Sequence, residues 1–171
     1  MMLILGFSTC SSDDDKEDIT NTFPQAKDSV VVDFLLLNEH GDTTTVFNEG
    51  EDIIFDLSIT NYMSTSLTYV LPQLFGDNTF RVYTLNDEDC GLPWLSDRDW
   101  EDILRTLLSG RKLHYQCSWY GHSESQYHFP APKNNNTQHL EAGEYYTSVY
   151  INFDNYKVLH HTINFRINDN E

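Results

Sequence analysis

The chain has 171 residues, with 27 Asp and Glu against 10 Lys and Arg, which gives a formal net charge of −17 at pH 7. Proteins bind nucleic acid and anionic membrane surfaces largely by neutralising phosphates with Lys and Arg, and the basic residues here are scattered without forming a patch. The composition therefore excludes nucleic acid as a partner and fits a single domain with an acidic tail.

The N-terminal part of the chain differs in composition from the rest. An apolar run at 1–7 is shorter than the about 20 residues needed to span a bilayer, and shorter than the apolar core of a full secretory signal. Cys10 follows, and after it come serines and a dense acidic run. These features predict a partial lipoprotein signal segment at 1–9, a disordered acidic tether at 10–28 and a folded domain at 29–171.

The order of residues 10–15, Cys-Ser-Ser-Asp-Asp-Asp, resembles the start of mature lipoproteins of the Bacteroidetes. The resemblance implies that Cys10 carries the lipid, palmitate included, and that the acidic stretch is a signal for export. The protein would then be anchored in the outer membrane through its lipid and exposed on the cell surface. The alternative is a disordered N-terminus that happens to contain a cysteine.

From residue 29 onward the sequence predicts short strands separated by turns. The segment 53–60 alternates apolar and polar residues, so Phe55 and Leu57 are expected to face inward. Residues 163–167 alternate in the same way, whereas 30–37 is apolar enough to predict a strand buried on most of both faces. The predicted strands are 30–37, 43–47, 53–60, 67–71, 79–84, 113–119, 145–153 and 158–167.

One helix is predicted, over about 98–108. Trp100, Leu104 and Leu107 share one face at helical spacing, and acidic residues occupy the first turn, where the helix dipole favours them. Short strands at regular spacing, with one helical insertion, indicate an all-β fold rather than a βαβ fold. The predicted architecture is an immunoglobulin-like antiparallel β-sandwich.

Two stretches carry further resemblances. Residues 140–146, Leu-Glu-Ala-Gly-Glu-Tyr-Tyr, are similar to the start of the penultimate strand of immunoglobulin-like sandwich domains. Residues 47–60 are similar to the strand pair with an intervening Gly-Glu turn in BsuPI-type proteinase inhibitor domains. Both resemblances imply a sandwich fold, and the second implies a proteinase-inhibitor-like protein as the alternative function.

The chain contains three cysteines. With Cys10 assigned to the lipid, Cys90 and Cys117 remain as a pair in an oxidising compartment, and a disulfide between them is predicted. Closing a loop of that size would stabilise the fold by about 3 kcal/mol in the chain-entropy treatment. The alternative is two buried free thiols.

The spacing of the histidines does not support a metal site. His160 and His161 are neighbours on a predicted strand, so their side chains point to opposite faces. His114, His122 and His128 lack the i, i+2 strand spacing or i, i+4 helix spacing that brings two imidazoles together. We predict no metal and no cofactor.

Acidic residues are concentrated at 87–89 and 97–102. Ca²⁺ takes oxygen ligands of this kind, but neither segment has the Asp-x-Asp-x-Asp-Gly order of a dedicated loop. Paired carboxylates can also serve glycoside hydrolysis, although with 27 acids such a pair carries no specificity. No Gly-x-Ser-x-Gly motif is present. We predict no catalytic residues and no enzyme activity, with a small hydrolase using acids of 87–102 as the third hypothesis.

Aromatic residues supply the leading hypothesis. Trp94, Trp119, Tyr120 and Tyr127 are the predicted ligand-binding residues, because a disulfide beside the two indoles would bring them to one end of the sandwich. Exposed Trp and Tyr suit stacking on sugar rings or filling a partner's pocket. The alternative is that both indoles cover the disulfide. The predicted function is a non-enzymatic binding or interaction module for a glycan or a protein.

Overall fold

The computed structural model describes residues 29–70, 78–95, 104–120, 134–135 and 139–170, with backbone alone at 94–95 and 134–135. Within these residues it has twelve strands and no helix. The strands are β1 Val30–Leu37, β2 Val46–Asn48, β3 Ile54–Asn61, β4 Leu67–Val70, β5 Val82–Thr84, β6 Asp89–Gly91, β7 Trp94–Leu95, β8 Leu104–Leu107, β9 Lys112–Ser118, β10 Asn134–Asn135, β11 Gly143–Ile151 and β12 Leu159–Asn168.

Two larger sheets form the sandwich. One has the order β1-β3-β9 and the other the order β2-β12-β11-β5-β6, with β4–β8 and β7–β10 as separate two-stranded pairs. All pairings are antiparallel except that of β2 with β12. The chain changes sheet early, because β1 pairs with β3 and the next strand, β2, joins the opposite sheet. The predicted all-β sandwich is confirmed, with antiparallel pairing everywhere among the described strands except between β2 and β12.

A side-chain hydrogen bond lies at the start of β11. The Tyr145 hydroxyl donates to the carbonyl oxygen of Glu141 at 2.8 Å. The bond fixes the turn that leads into β11.

The core lies between the inward faces of the two sheets. Phe55, Leu57 and Ile59 are fully buried from one side, and Phe165 and Ile167 are almost fully buried from the other. Each such side chain contributes about 1.5–3 kcal/mol through removal of apolar surface from water. The inward positions predicted for 53–60 and for the end of 163–167 are therefore confirmed, but the outward positions of 53–60 are not all exposed, since Ser58 is 3% exposed and Ile54 is 6% exposed.

Strand β1 has the predicted bounds but not the predicted burial. Phe34 and Leu36 are buried, whereas Asp33 is exposed and Leu35 is 39% exposed. The reason is that β1 is an edge strand whose second face lies at the surface of the three-stranded sheet. An apolar composition there does not indicate burial on both faces.

The predicted helix is wrong where the structure describes it. Residues 104–107 form β8, which pairs with β4 in the register Leu67 with Leu107 and Val70 with Leu104. On a helix Leu104 and Leu107 would share a buried face, but on a strand positions three apart point to opposite sides. Accordingly Leu107 is 3% exposed and Leu104 is 63% exposed. Leu108 is not helical either, and residues 98–103 of the predicted helix lie outside the described residues.

The predicted disulfide is also wrong, since Cys90 and Cys117 are both free thiols. Cys90 lies in β6 of the five-stranded sheet, and Cys117 lies in β9 of the three-stranded sheet. Packed sheets stand about 10 Å apart, whereas bridged cysteines need Cα atoms within about 7 Å. Burial raises the pKa of both thiols, that of Cys117 most strongly, so both are protonated near neutral pH.

Candidate ligand-binding face

The predicted aromatic site is not assembled as expected. Trp119 is fully buried, with its ring 6.3 Å from that of Phe55, so the prediction that it contacts a ligand is wrong. Residue 119 continues the inward series of β9, which explains its burial. Tyr120 is half-buried, and its hydroxyl accepts a hydrogen bond from the Leu140 amide at 3.1 Å. Cys10, Tyr127 and the side chain of Trp94 lie outside the described residues.

A buried carboxylate fixes the chain around Trp119. Asp52 is fully buried and accepts hydrogen bonds from the Ser118 hydroxyl and, at 3.0 Å, from the Tyr120 amide. A buried charge is tolerated when it is hydrogen-bonded in this way. Asp52 therefore acts as a structural anchor at the end of β9.

The five-stranded sheet carries aromatic residues on its outer face. Along β11, the odd-numbered residues from Tyr145 to Ile151 are buried in the core, so Tyr146, Ser148 and Tyr150 point outward. On β12 the register places Thr162 opposite Ser148 and His160 opposite Tyr150. On β5 it places Tyr83 opposite Tyr146.

These residues form two stacked pairs. The rings of Tyr83 and Tyr146 have centroids 5.2 Å apart and an interplanar angle of 19°. The rings of Tyr150 and His160 have centroids 4.1 Å apart and an angle of 11°. Tyr146 and Tyr150 are four residues apart on one strand, a separation of about 13 Å. Two aromatic walls therefore stand on the sheet with a gap between them.

The gap is a groove of about 200 Å³. Ser148 and Thr162 lie between the two walls, and Asn78 adds an amide to the lining. Although Ser148 points outward, it is only 6% exposed and lines the groove between the two walls. The groove thus combines aromatic rings with hydroxyl and amide groups.

The wall formed by Tyr83 and Tyr146 is held by charged residues. The Tyr146 hydroxyl donates to the Asp87 carboxylate at 2.7 Å, and this bond raises the pKa of Tyr146 to about 12. Arg81 pairs with Asp89 at 2.6 Å, and this hydrogen bond is the main reason that the pKa of Asp89 is lowered. The acids that suggested calcium or catalysis therefore have structural partners at 87 and 89.

A second depression lies further along β12. It has a volume of about 280 Å³ and is lined in part by Val46, Glu144 and Arg166. Asn164 also lines it, two residues beyond Thr162 on the same face of β12. The outer face of the sheet is therefore indented along much of β12.

Polar residues also occupy the outer face of the three-stranded sheet. His114 Nε2 lies 2.7 Å from Asp56 Oδ2, and Gln116 donates to the same oxygen at 3.0 Å. Ser58 donates to Asp33 at 3.3 Å, and among the described residues no hydrogen bond joins its hydroxyl to the His114 imidazole. Over the described residues no cluster of three or more His, Cys, Asp or Glu could hold a metal ion.

No protein-family model matches the chain, and no curated protein is similar enough to count as a match. In the part that the structure describes, no helix is long and apolar enough to cross a membrane.

One feature of the sequence points to the groove. Tyr146 and Tyr150 fall in the outward register of a strand whose other residues are core-forming. Large aromatic rings on the solvent-facing register of a strand indicate a binding face more often than isolated surface residues do. Tyr83 and His160 gave no such signal, because only the strand pairing brings them beside β11.

Proposed function

We propose that this chain is a non-enzymatic binding module that takes a neutral glycan in the groove on its five-stranded sheet. The observation that carries the proposal is the pair of stacked aromatic walls, Tyr83 with Tyr146 and Tyr150 with His160. A sugar ring has an apolar face of C–H groups and a rim of hydroxyls. Aromatic rings suit the first and the Ser148 and Thr162 hydroxyls suit the second.

The size of the groove supports a chain-like ligand. Sites for drug-sized molecules occupy about 300–1,000 Å³, and this groove has about 200 Å³. It therefore fits one ring of a longer saccharide, with neighbouring sugars lying along the indented face of β12. A net charge of −17 repels sulfated or uronic-acid polymers, which favours an uncharged one.

The proposal includes attachment to the outer membrane through a lipid at Cys10, with the domain facing the cell exterior. Its support is the order of residues 10–15, since a dually acylated cysteine holds a protein on a membrane stably. Labelling with palmitate, in cells that express the full-length gene, is expected to mark the wild type and not Cys10→Ala. Label in the variant would contradict the anchor.

The binding test is affinity electrophoresis through gels that contain soluble neutral polysaccharides: β-glucan, xylan, galactomannan or α-glucan. Tyr150→Ala removes a ring that is 42% exposed and is expected to weaken binding about tenfold, or about 1.4 kcal/mol. Leu35→Ala is the matched control, because Leu35 is 39% exposed on the other sheet and should not affect retardation. Equal retardation of wild type and Tyr150→Ala, or none on any polymer, would contradict the proposal.

A further inference from the structure

The outer edge of β12 is only partly covered. β12 spans Leu159–Asn168, and β2 pairs with its last three residues, 166–168. Among the described residues no strand pairs with the edge of β12 over 159–165 on that side. We call residues 159–165 the open window.

The hydrogen bonds at either side of β12 show which backbone groups face this edge. The Arg166 amide donates to the Thr45 carbonyl at 2.9 Å, so its N–H points away from β11 and toward β2. Since backbone direction alternates along a strand, the N–H and C=O groups of His160, Thr162 and Asn164 point the same way. The Phe80 amide bonds to the Ser148 carbonyl from the far side of β11, which agrees with this alternation.

The open window is accessible and lacks the usual protection of an edge. His160, Thr162 and Asn164 are all exposed. Unpaired backbone groups in a row are a template for another strand, and natural edges are commonly blocked by Lys, Pro or a bulge. Residues 159–165, Leu-His-His-Thr-Ile-Asn-Phe, contain neither Lys nor Pro.

We propose that a second copy of this chain pairs antiparallel with the open window, about a twofold axis at Thr162. In this arrangement His160 of one copy stands opposite Asn164 of the other, and each surface contacts its own equivalent. The window contains no Asp, Glu, Lys or Arg, so the pairing places no two such like charges directly opposite each other.

Two exposed valines add an apolar contact between the two copies at each end of the proposed strand pairing. Val158 is 57% exposed just before the window, and Val46 is 43% exposed beside Arg166 at its far end. Residues 158 and 166 are equally distant from Thr162, so residue 158 of one copy lies at the level of residue 166 of the other. Because β2 covers position 166, Val158 comes against the partner's Val46, and the twofold axis repeats this contact.

The pairing is expected to be weak and dependent on concentration. A window of seven residues buries less than the about 1,600 Å² of a standard interface. Each copy carries a charge of −17, so added salt screens the repulsion and should strengthen the dimer. Residues that stand opposite each other across the pairing lie on the same face of the joined sheet, so the grooves of both copies would face the same direction. Only the use of both grooves for one ligand surface rests on the proposed function.

The test is sedimentation velocity on the unlipidated 171-residue chain, over a wide range of protein concentration at low and high salt. Wild type is expected to move from a mass of 19.9 kDa toward twice that value as concentration rises, and more readily at high salt. Thr162→Pro removes an N–H that β11 does not use and blocks the edge, so the dissociation constant should rise at least tenfold. Thr162→Val keeps the N–H and should dimerise like wild type.

Val158→Asp checks the same surface without altering the strand. Residue 158 is largely exposed, so the variant should fold normally while its dissociation constant also rises at least tenfold. A wild type that stays monomeric at every concentration and salt level would overturn the proposal, as would equal association of Thr162→Pro and Thr162→Val. Glycan retardation of Val158→Asp at low protein concentration tests the groove separately.

Discussion

Phe80 and Asp87 lie on either side of β5, and both adopt left-handed backbone conformations, with φ of 65° and 63°. Both are also bonded to β11: the Phe80 amide donates to the Ser148 carbonyl, and the Asp87 carboxylate accepts from Tyr146. A non-glycine residue in this region costs on the order of 1 kcal/mol, and such residues concentrate at ligand sites. The strand that carries Tyr83 is thus held against the groove from both ends.

Replacing Asp87 should affect the stability of the domain and its affinity for glycan in different directions. Asp87→Gly removes the cost of the left-handed conformation and also removes the acceptor for Tyr146. We expect a melting temperature at or above that of wild type, with glycan affinity several-fold weaker. Asp87→Asn is the control, since Asn tolerates the conformation and its amide oxygen can still accept the bond. If Asp87→Gly bound glycan as tightly as wild type, the hydrogen bond from Tyr146 to Asp87 would not be what positions the Tyr83 and Tyr146 rings.

The domain should lose stability in strong alkali. The pKa of Tyr146 lies at about 12 in the folded chain against an ordinary value of 10.0, so the folded state holds this proton more tightly than the unfolded state. The stabilising effect is complete below pH 10 and is lost as the pH rises toward 12. Urea unfolding at a series of pH values measures it. In Tyr146→Phe the free energy of unfolding should fall less steeply between pH 10 and pH 12. The same pH dependence in this variant as in wild type would contradict the role assigned to the Tyr146 hydroxyl.

Cys90 and Cys117 should behave as thiols that form no disulfide and that the fold shields from alkylating reagents. Burial raises the pKa of both Cys90 and Cys117, and the thiolate is the reactive form. We expect slow alkylation of Cys117 in the folded protein, faster alkylation of half-buried Cys90, and rapid alkylation of both in urea. Adding reductant should not lower the melting temperature. A drop on reduction would indicate a disulfide and contradict the structure.

Removing the buried carboxylate of Asp52 should destabilise the domain strongly. Asp52→Ala leaves the Ser118 hydroxyl and the Tyr120 amide without their acceptor, and hydrogen bonds to charged groups are worth about 1.5–3 kcal/mol each. We expect a loss of about 3 kcal/mol in the free energy of unfolding, measured by urea denaturation. Asp42→Ala, at an exposed turn, should change it by less than about 0.5 kcal/mol. Similar losses in both variants would contradict the anchoring role.

The sequence predicted the strands best where one face is buried, because alternation then records the inward side. Residues 53–60 show this, since Phe55, Leu57 and Ile59 all enter the core. It failed at 104–107, where leucines three residues apart fit a helix face but are separated by β8 into one buried and one exposed residue. Spacing alone cannot decide when pairing with a distant strand outweighs local preference.

The candidate site was harder to predict than the fold. Tyr83 and Tyr146 are 63 positions apart, and Tyr150 and His160 belong to different strands, so their stacking follows from register and not from any local motif. Trp119 was expected at the surface because of its residue type, yet its place in the inward series of β9 buries it. Which aromatic residues are exposed depends on the sheet face that each one occupies.

The route of the first two strands gives the domain a mechanical property. Tension applied at residue 29 enters β1, whose eight pairs with β3 lie along the strand axis. A pull along that axis loads all eight pairs together in shear, whereas a sideways pull would unzip them one at a time. The chain then crosses to β2 on the opposite sheet, so part of the load reaches β12 as well. A pull applied at residue 29 along the axis of β1 would therefore load strands of both sheets.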